Sequence, residues 1–104
     1  MSSKWKKKED LTFKEFEWDN SKRKINIEKH SIDFEDAIFI FCDPFILKRS
    51  DQKQEERFLA VGSLEDLLIS IVFTEREGRC RVISARRARN NEREAYHKAF
   101  PSGP

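Results

Sequence analysis

The chain has 104 residues, of which 38% are apolar and 38% charged, and its net charge is only +2. This length suits one domain, and nine Phe with only three Gly and three Pro exclude a disordered or fibrous protein. No apolar run approaches the ~20 residues of a membrane helix, and no apolar segment follows the N-terminal lysines, so we expect a cytoplasmic protein without a membrane anchor.

The small net charge hides a strong pattern along the chain. Acidic residues cluster at positions 33–36, 51–56 and 74–79, whereas residues 79–91 hold five Arg and no acid, and residues 4–8 hold four Lys. Such segregation predicts a basic surface that is available to phosphate groups.

The two ends of the chain lack helix or strand periodicity. We therefore expect residues 1–11 to form a flexible Lys-rich tail and residues 101–104 to be frayed, with one domain at 12–100. Trp5, inside "KWKKK", suits either a tail that contacts nucleic acid or a merely solubilising one.

The next segments alternate between strand and helix patterns. "FKEFEWD" fits a short strand, and "NSKRKINIEKHS" predicts a helix that Asp19 or Asn20 caps, with Ile25 on its buried face. A second helix begins after Ser31 or Asp33 and ends at "DP". Its apolar positions have helical spacing and are Phe34, Ala37, Ile38 and Phe41.

Four runs rich in β-branched and aromatic residues then predict an antiparallel meander: "FILKRS", "ERFLAVGSL", "LLISIVFTE" and "RCRVISAR". "ARNNEREAYHKAF" is helical again, with Glu92 placed to close its first turn. We therefore predict an α+β domain with an antiparallel sheet of about four to five strands. We expect two N-terminal helices and one C-terminal helix to lie on one face of the sheet.

Three stretches in order, "FEWDNSKRKINIEKHSIDFEDAIFIFCDP", "ERFLAVG" and "FTEREGRCRVISARRARNNEREAY", resemble the BrnT family of toxins over about residues 16–96. The resemblance implies a RelE-like fold and a bacterial endoribonuclease that slows growth by cutting RNA. It also implies a ribbon-helix-helix antitoxin, a heterotetramer of two toxins and two antitoxins, and operator DNA bound through the antitoxin. Phe73 stands where relatives often carry His or Tyr, so an inactive module that binds nucleic acid or antitoxin is the alternative.

RNA cleavage without a metal needs cations at the scissile phosphate and a base for the 2′-hydroxyl. Arg suits the first role because its guanidinium binds phosphate bidentately and stays charged. Strand alternation puts Arg79, Arg81 and Ile83 on one open face, and Ser84 with Arg86 on the other. Arg57, on a neighbouring strand, is expected near the first two arginines. Pairing with nearby glutamates is the alternative role for each arginine.

Most of the remaining candidate residues suit either a functional or a structural role. His30 suits either a general base or a helix C-cap, and Glu75 suits either a base or an arginine partner. Lys29 fits a phosphate contact or a solvated helix face, while Arg86 and Arg87, at the strand-to-helix junction, are expected to bind phosphate. No cofactor or metal motif is present, and Cys42 and Cys80 are expected to be buried thiols.

Overall fold

The computed structural model describes residues 4–9, 13, 15–52 and 54–102. Six strands form one sheet, ordered β1-β3-β4-β5-β6-β2. The strands are β1 (Lys6–Lys8), β2 (Glu15–Trp18), β3 (Phe45–Arg49), β4 (Phe58–Leu64), β5 (Leu67–Arg76) and β6 (Arg79–Arg87). The helices are α1 (Asn20–His30), α2 (Phe34–Ala37) and α3 (Asn90–Ala99), with a 3-10 helix at Ile38–Cys42.

The predicted meander is confirmed, because β3 to β6 pair in sequence as antiparallel neighbours. At the β5–β6 turn, Glu77 and Gly78 have φ of 52° and 81°. Two positive φ angles in succession suit the two-residue turn that matches the twist of the strands. The mixed α+β class is also confirmed, but the sheet has six strands rather than four to five, since a short strand is added at each edge.

Both added strands come from the N-terminal part of the chain. Lys6–Lys8, which the sequence placed in a flexible tail, pair antiparallel with β3, so that Lys7 lies opposite Ile46. β2 lies at the other edge and is parallel to β6, with Glu17 opposite Arg81 and Trp18 opposite Val82. The remaining residues of the predicted tail, 1–3 and 10–11, lie outside the described residues.

One face of the sheet, which we call the core face, packs against α1, α2 and the 3-10 helix. Its strand residues surround an aromatic cluster and include Phe45, Ile71, Phe73, Cys80, Val82 and Ala85. Gly62 lets the 3-10 helix come close, because a Cβ there would lie 2.8 Å from Ile40 Cβ. Phe41 is buried as predicted, whereas Phe39 is exposed. Cys80 is buried, but Cys42 is exposed, contrary to the expectation.

Helix α1 begins where predicted but buries an unexpected residue. Asp19 is its N-cap and accepts a hydrogen bond from the Ser21 N–H at 2.7 Å. Ile25, expected on the buried face, is 59% exposed, and Asn26 is buried instead. The Asn26 side chain donates to the carbonyl of Ala85 at 2.8 Å and accepts from its N–H at 3.1 Å. Because β2 ends opposite Val82, it does not reach Ala85, and the Asn26 side chain pairs with the backbone of β6 there instead.

Helix α2 begins at the predicted N-cap Asp33, which accepts from the Glu35 N–H at 3.0 Å. It makes one α-helical turn before the chain tightens into the 3-10 helix. The prediction that all helices lie on one face is wrong, because α3 packs on the opposite face. There Ser70 donates a hydrogen bond to Glu92 of α3 at 2.8 Å, and Tyr96 packs with Ile46 and Val61.

No helix in the described ranges is long and apolar enough to cross a membrane.

Candidate active site

The face of the sheet that carries α3, here called the open face, is covered only in part. Ile46, Val61, Ser70 and Arg86 form the cross-strand row beneath or beside α3. The next row along the strands is Lys48, Leu59, Val72 and Ser84, and beyond it Thr74, Arg81 and Glu17 lie side by side. These two further rows form the floor of the candidate site.

A bulge in β6 changes which side chains share this face. Phe73 pairs with Val82 but its neighbour Val72 pairs with Ser84, so Ile83 is an extra residue between them. Simple alternation predicted Ser84 and Arg86 on the face opposite Arg81, and this prediction is wrong. The bulge moves both residues onto the open face.

Arg79 and Arg81 share the open face, as alternation before the bulge requires. Arg81 Nη1 donates to Glu17 Oε2 at 2.8 Å, and Arg79 Nη1 lies 3.4 Å from Glu17 Oε1. Arg79 also lies 3.7 Å from Glu15 and 3.8 Å from Glu77. The hydrogen bond from Arg81, followed by that from Arg79, lowers the pKa of Glu17. One carboxylate is therefore held ionised between two guanidinium groups.

Arg57 lies at the rim of the same face, in the loop that leads into β4. Its Nε donates to Glu55 Oε1 at 2.6 Å, and its Nη1 donates to Gln52 at 3.0 Å. The hydrogen bond from Arg57, with weaker contributions from Arg76 and Lys22, lowers the pKa of Glu55. Because β5 lies between β4 and β6, Arg57 is not on a strand next to Arg79 and Arg81, and the nearness of the three arginines stays a prediction.

The two predicted bases lie elsewhere. Glu75 pairs with Cys80 and faces away from Arg81, so it is exposed on the side of the core face. His30 and Lys29 lie at the C-terminal end of α1, which packs on the core face. The structure therefore does not bring His30, Lys29 or Glu75 together with the two arginines of β6.

Arg86 and Arg87 differ sharply from each other. Arg86 binds Glu92 through both terminal nitrogens, at 2.8 and 2.9 Å, and only 18% of its side chain is exposed. Its guanidinium therefore has a structural role in fastening α3 to the sheet. Arg87 is exposed at the end of β6 and borders a small cavity of about 200 Å³ with Arg93 and His97.

The family model described as ribonuclease toxin, BrnT, of type II toxin-antitoxin system matches residues 18–92. The chain belongs to the BrnT family. It is therefore a ribonuclease toxin of a type II toxin-antitoxin system, whose partner is an antitoxin. No curated protein matches the sequence.

A BrnT ribonuclease has to hold an anionic substrate, and the open face offers the cations for it. Phe73 is only 2% exposed and packs against Phe41 and Phe58 on the core face. Its ring therefore does not border the arginines of the open face.

Glu17, the carboxylate nearest to Arg81, is not among the site residues that the sequence predicts. "EFEW" has the alternation of a strand, but nothing in it indicates the parallel pairing with β6. A parallel edge strand joins segments that lie 64 positions apart here, and no local pattern marks such a pair. Within the described ranges, no three metal-ligating side chains lie together.

Proposed function

We propose that this toxin is a metal-independent endoribonuclease that uses the open face of its sheet to cleave RNA. The observation that carries the proposal is that Arg79 and Arg81 hold Glu17 between them on the open face. Arg57, just before β4, is the proposed third cation. Guanidinium groups bind phosphate oxygens bidentately and keep their charge at any working pH. They are suited to stabilise the negative charge that builds up on a scissile phosphate.

Glu17 is the proposed base. Its lowered pKa keeps it ionised near neutral pH, so that it is ready to accept the proton of a 2′-hydroxyl group. The 2′-oxygen then attacks phosphorus, the bond from phosphorus to the 5′-oxygen breaks, and the leaving oxygen takes a proton from water. The products are a 2′,3′-cyclic phosphate and a free 5′-hydroxyl. Glu17 replaces His30 and Glu75 in this role because it shares the face of Arg81.

Arg81 is the proposed phosphate ligand, and Arg79 and Arg57 are its neighbours along the RNA. Arg81 is one-third exposed and already held by Glu17, so its remaining donors are fixed in direction before substrate arrives. Arg86 is left out of the proposed site because Glu92 occupies its guanidinium. Lys29 and Arg87 remain predicted contacts for more distant phosphates.

The biological setting follows from the same proposal. Cleavage of RNA in the cytoplasm would inhibit translation and growth. We propose a RelE-like toxin that a ribbon-helix-helix antitoxin neutralises in a complex of two toxins and two antitoxins, with operator DNA bound only through the antitoxin. Such an antitoxin has to cover or distort the arginine-bearing open face in order to silence the enzyme.

The test is cleavage of a defined RNA by the purified protein in EDTA, with the ends of the products mapped. We expect cleavage with 2′,3′-cyclic phosphate ends, and at least about a tenfold slower reaction for Arg81→Ala, equivalent to only ~1.4 kcal/mol of transition-state stabilisation. Lys24→Ala is the control, because Lys24 is an exposed cation of α1, which packs on the core face. Binding of RNA without any cleavage product would favour the alternative, an inactive module that binds nucleic acid or antitoxin. Full activity in Arg81→Ala would show that Arg81 is not part of the site.

A further inference from the structure

A second cavity lies on the open face, at the opposite edge of the sheet from Glu17. It has a volume of about 420 Å³, and its floor is formed by Ile46, Ala95 and Ala99. Trp5 forms one wall, and Lys7 and Lys98 line it from β1 and α3. The volume falls within the range of small-ligand sites, which is about 300–1,000 Å³.

Most of the walls of this cavity come from outside the family match. Trp5 and Lys7 precede residue 18, and Glu94, Ala95, Lys98 and Ala99 follow residue 92. Formation of the cavity depends on β1, the edge strand that brings the N-terminal segment against α3. It is therefore a feature of this chain beyond the region that the family model matches.

The chemistry of the walls suits a nucleotide. Lys48 Nζ lies 4.7 Å from the centre of the Trp5 ring, so a cation and an aromatic surface are already combined beside the cavity. Two lysines of the lining, Lys7 and Lys98, outnumber its single acidic group, Glu94. The Asn91 side chain adds both hydrogen-bond donors and an acceptor. Aromatic stacking combined with basic groups is the usual way in which proteins hold single-stranded nucleic acid.

The cavity and the proposed active site lie on the same face of the sheet. Lys48, which lies beside Trp5, begins the cross-strand row that runs through Leu59 and Val72 to Ser84, and Arg81 lies in the next row. Three strand spacings separate β3 from β6, which corresponds to about 15 Å across the sheet. A short stretch of single-stranded RNA can therefore contact both places.

We propose that the Trp5 cavity is a nucleobase subsite, in which an unpaired base of the RNA substrate stacks on Trp5 while Lys7, Lys48 and Lys98 contact the neighbouring phosphates. This inference rests on the proposed function, because it assigns a further binding position to the same substrate. It predicts that residues outside the family match contribute to RNA affinity without taking part in the chemical step.

The experiment is titration of the full-length protein with a fluorescein-labelled, unstructured 2′-O-methyl oligoribonucleotide, followed by anisotropy. The methyl group blocks the attacking oxygen, so binding is measured without cleavage. Loss of one stacked base corresponds to a change in affinity of about 5- to 150-fold, and we expect Trp5→Ala to weaken binding by at least about fivefold. Trp5→Phe should retain most of the affinity because it retains an aromatic ring. Lys98→Ala should weaken binding, whereas Lys24→Ala, an exposed lysine of α1, should not.

A second measurement is independent of any folding defect in these variants. Photo-crosslinking of the parent protein to an RNA that carries 5-iodouridine should modify the peptide that contains Trp5. Unchanged affinity in Trp5→Ala, or crosslinks that avoid this peptide, would overturn the inference and leave the arginine site intact. No binding of RNA by the parent protein would overturn the proposed function together with it. Unchanged RNA affinity with weaker antitoxin binding in Trp5→Ala would assign the cavity to a protein partner.

Discussion

Glu92 fastens α3 to the open face. Its replacement by Gln tests how much this contact contributes to the free energy of unfolding. The residue is only 3% exposed, yet its carboxylate is ionised. Burial opposes ionisation, but hydrogen bonds from Arg86, the Arg89 N–H and Ser70 outweigh it and lower the pKa of Glu92 from 4.5 to about 2. Because a lowered pKa means that folding favours the ionised form, the stabilisation is fully present above about pH 4.5 and is lost as the pH falls toward 2.

The size of the effect follows from that pKa difference. One pKa unit corresponds to about 1.4 kcal/mol, so Glu92 contributes ~3 kcal/mol to the free energy of unfolding at neutral pH. Glu92→Gln also leaves the Arg86 guanidinium, only 18% exposed, without a counter-charge. Removal of one partner of a buried ion pair costs about 3–5 kcal/mol, which agrees with this figure. A domain of this size has a total stability of only about 5–15 kcal/mol.

Urea unfolding at pH 7 measures this difference directly. We expect Glu92→Gln to lower the free energy of unfolding by ~3 kcal/mol. The difference from the parent should shrink as the pH is lowered from 4.5 toward 2. Glu94→Gln is the matched control, since Glu94 lies two residues further along α3 and is exposed, and it should change stability by less than about 0.5 kcal/mol. A Glu92→Gln protein as stable as the control at pH 7 would show that the ion pair between Glu92 and Arg86 does not stabilise the fold.

Two further predictions concern Asn26 and Glu17. Asn26→Leu should lower the free energy of unfolding by about 2–4 kcal/mol in the same urea assay, because it leaves the N–H and carbonyl of Ala85 without partners; a variant as stable as the parent would mean that the β6 edge finds other partners. Glu17→Gln should slow RNA cleavage by about 100-fold or more, while the parent rate stays flat from about pH 5 to 8 since the pKa of Glu17 lies below its ordinary value. A parent rate that rises near pH 6.5 and disappears in His30→Gln would return the role of base to His30.

Local patterns in the sequence were enough to predict most elements of the fold, although β1 was expected to belong to a flexible tail. Alternating β-branched and aromatic residues marked the four strands of the meander, and Asp19 and Asp33 marked the starts of two helices. Glu92 was expected to close the first turn of α3, and it does accept a hydrogen bond from the Arg89 N–H at 2.8 Å. These features depend on neighbours within a few residues, so a single sequence contains the information for them.

The candidate site depends on contacts between distant segments of the chain, which no local sequence pattern indicates. The extra residue Ile83 places the side chains that follow it in β6 on the face opposite to the one that alternation predicts. The parallel pairing of β2 with β6 places Glu17 next to Arg81. Asn26 is buried because a strand edge needs its amide, although a helical pattern favours Ile25. Strand register and edge pairing join distant segments, and the free energy that selects them comes from burying apolar side chains and satisfying buried polar groups across the whole fold. A local pattern therefore shows that arginines line β6, whereas the pairing of β2 with β6 places Glu17 between Arg79 and Arg81.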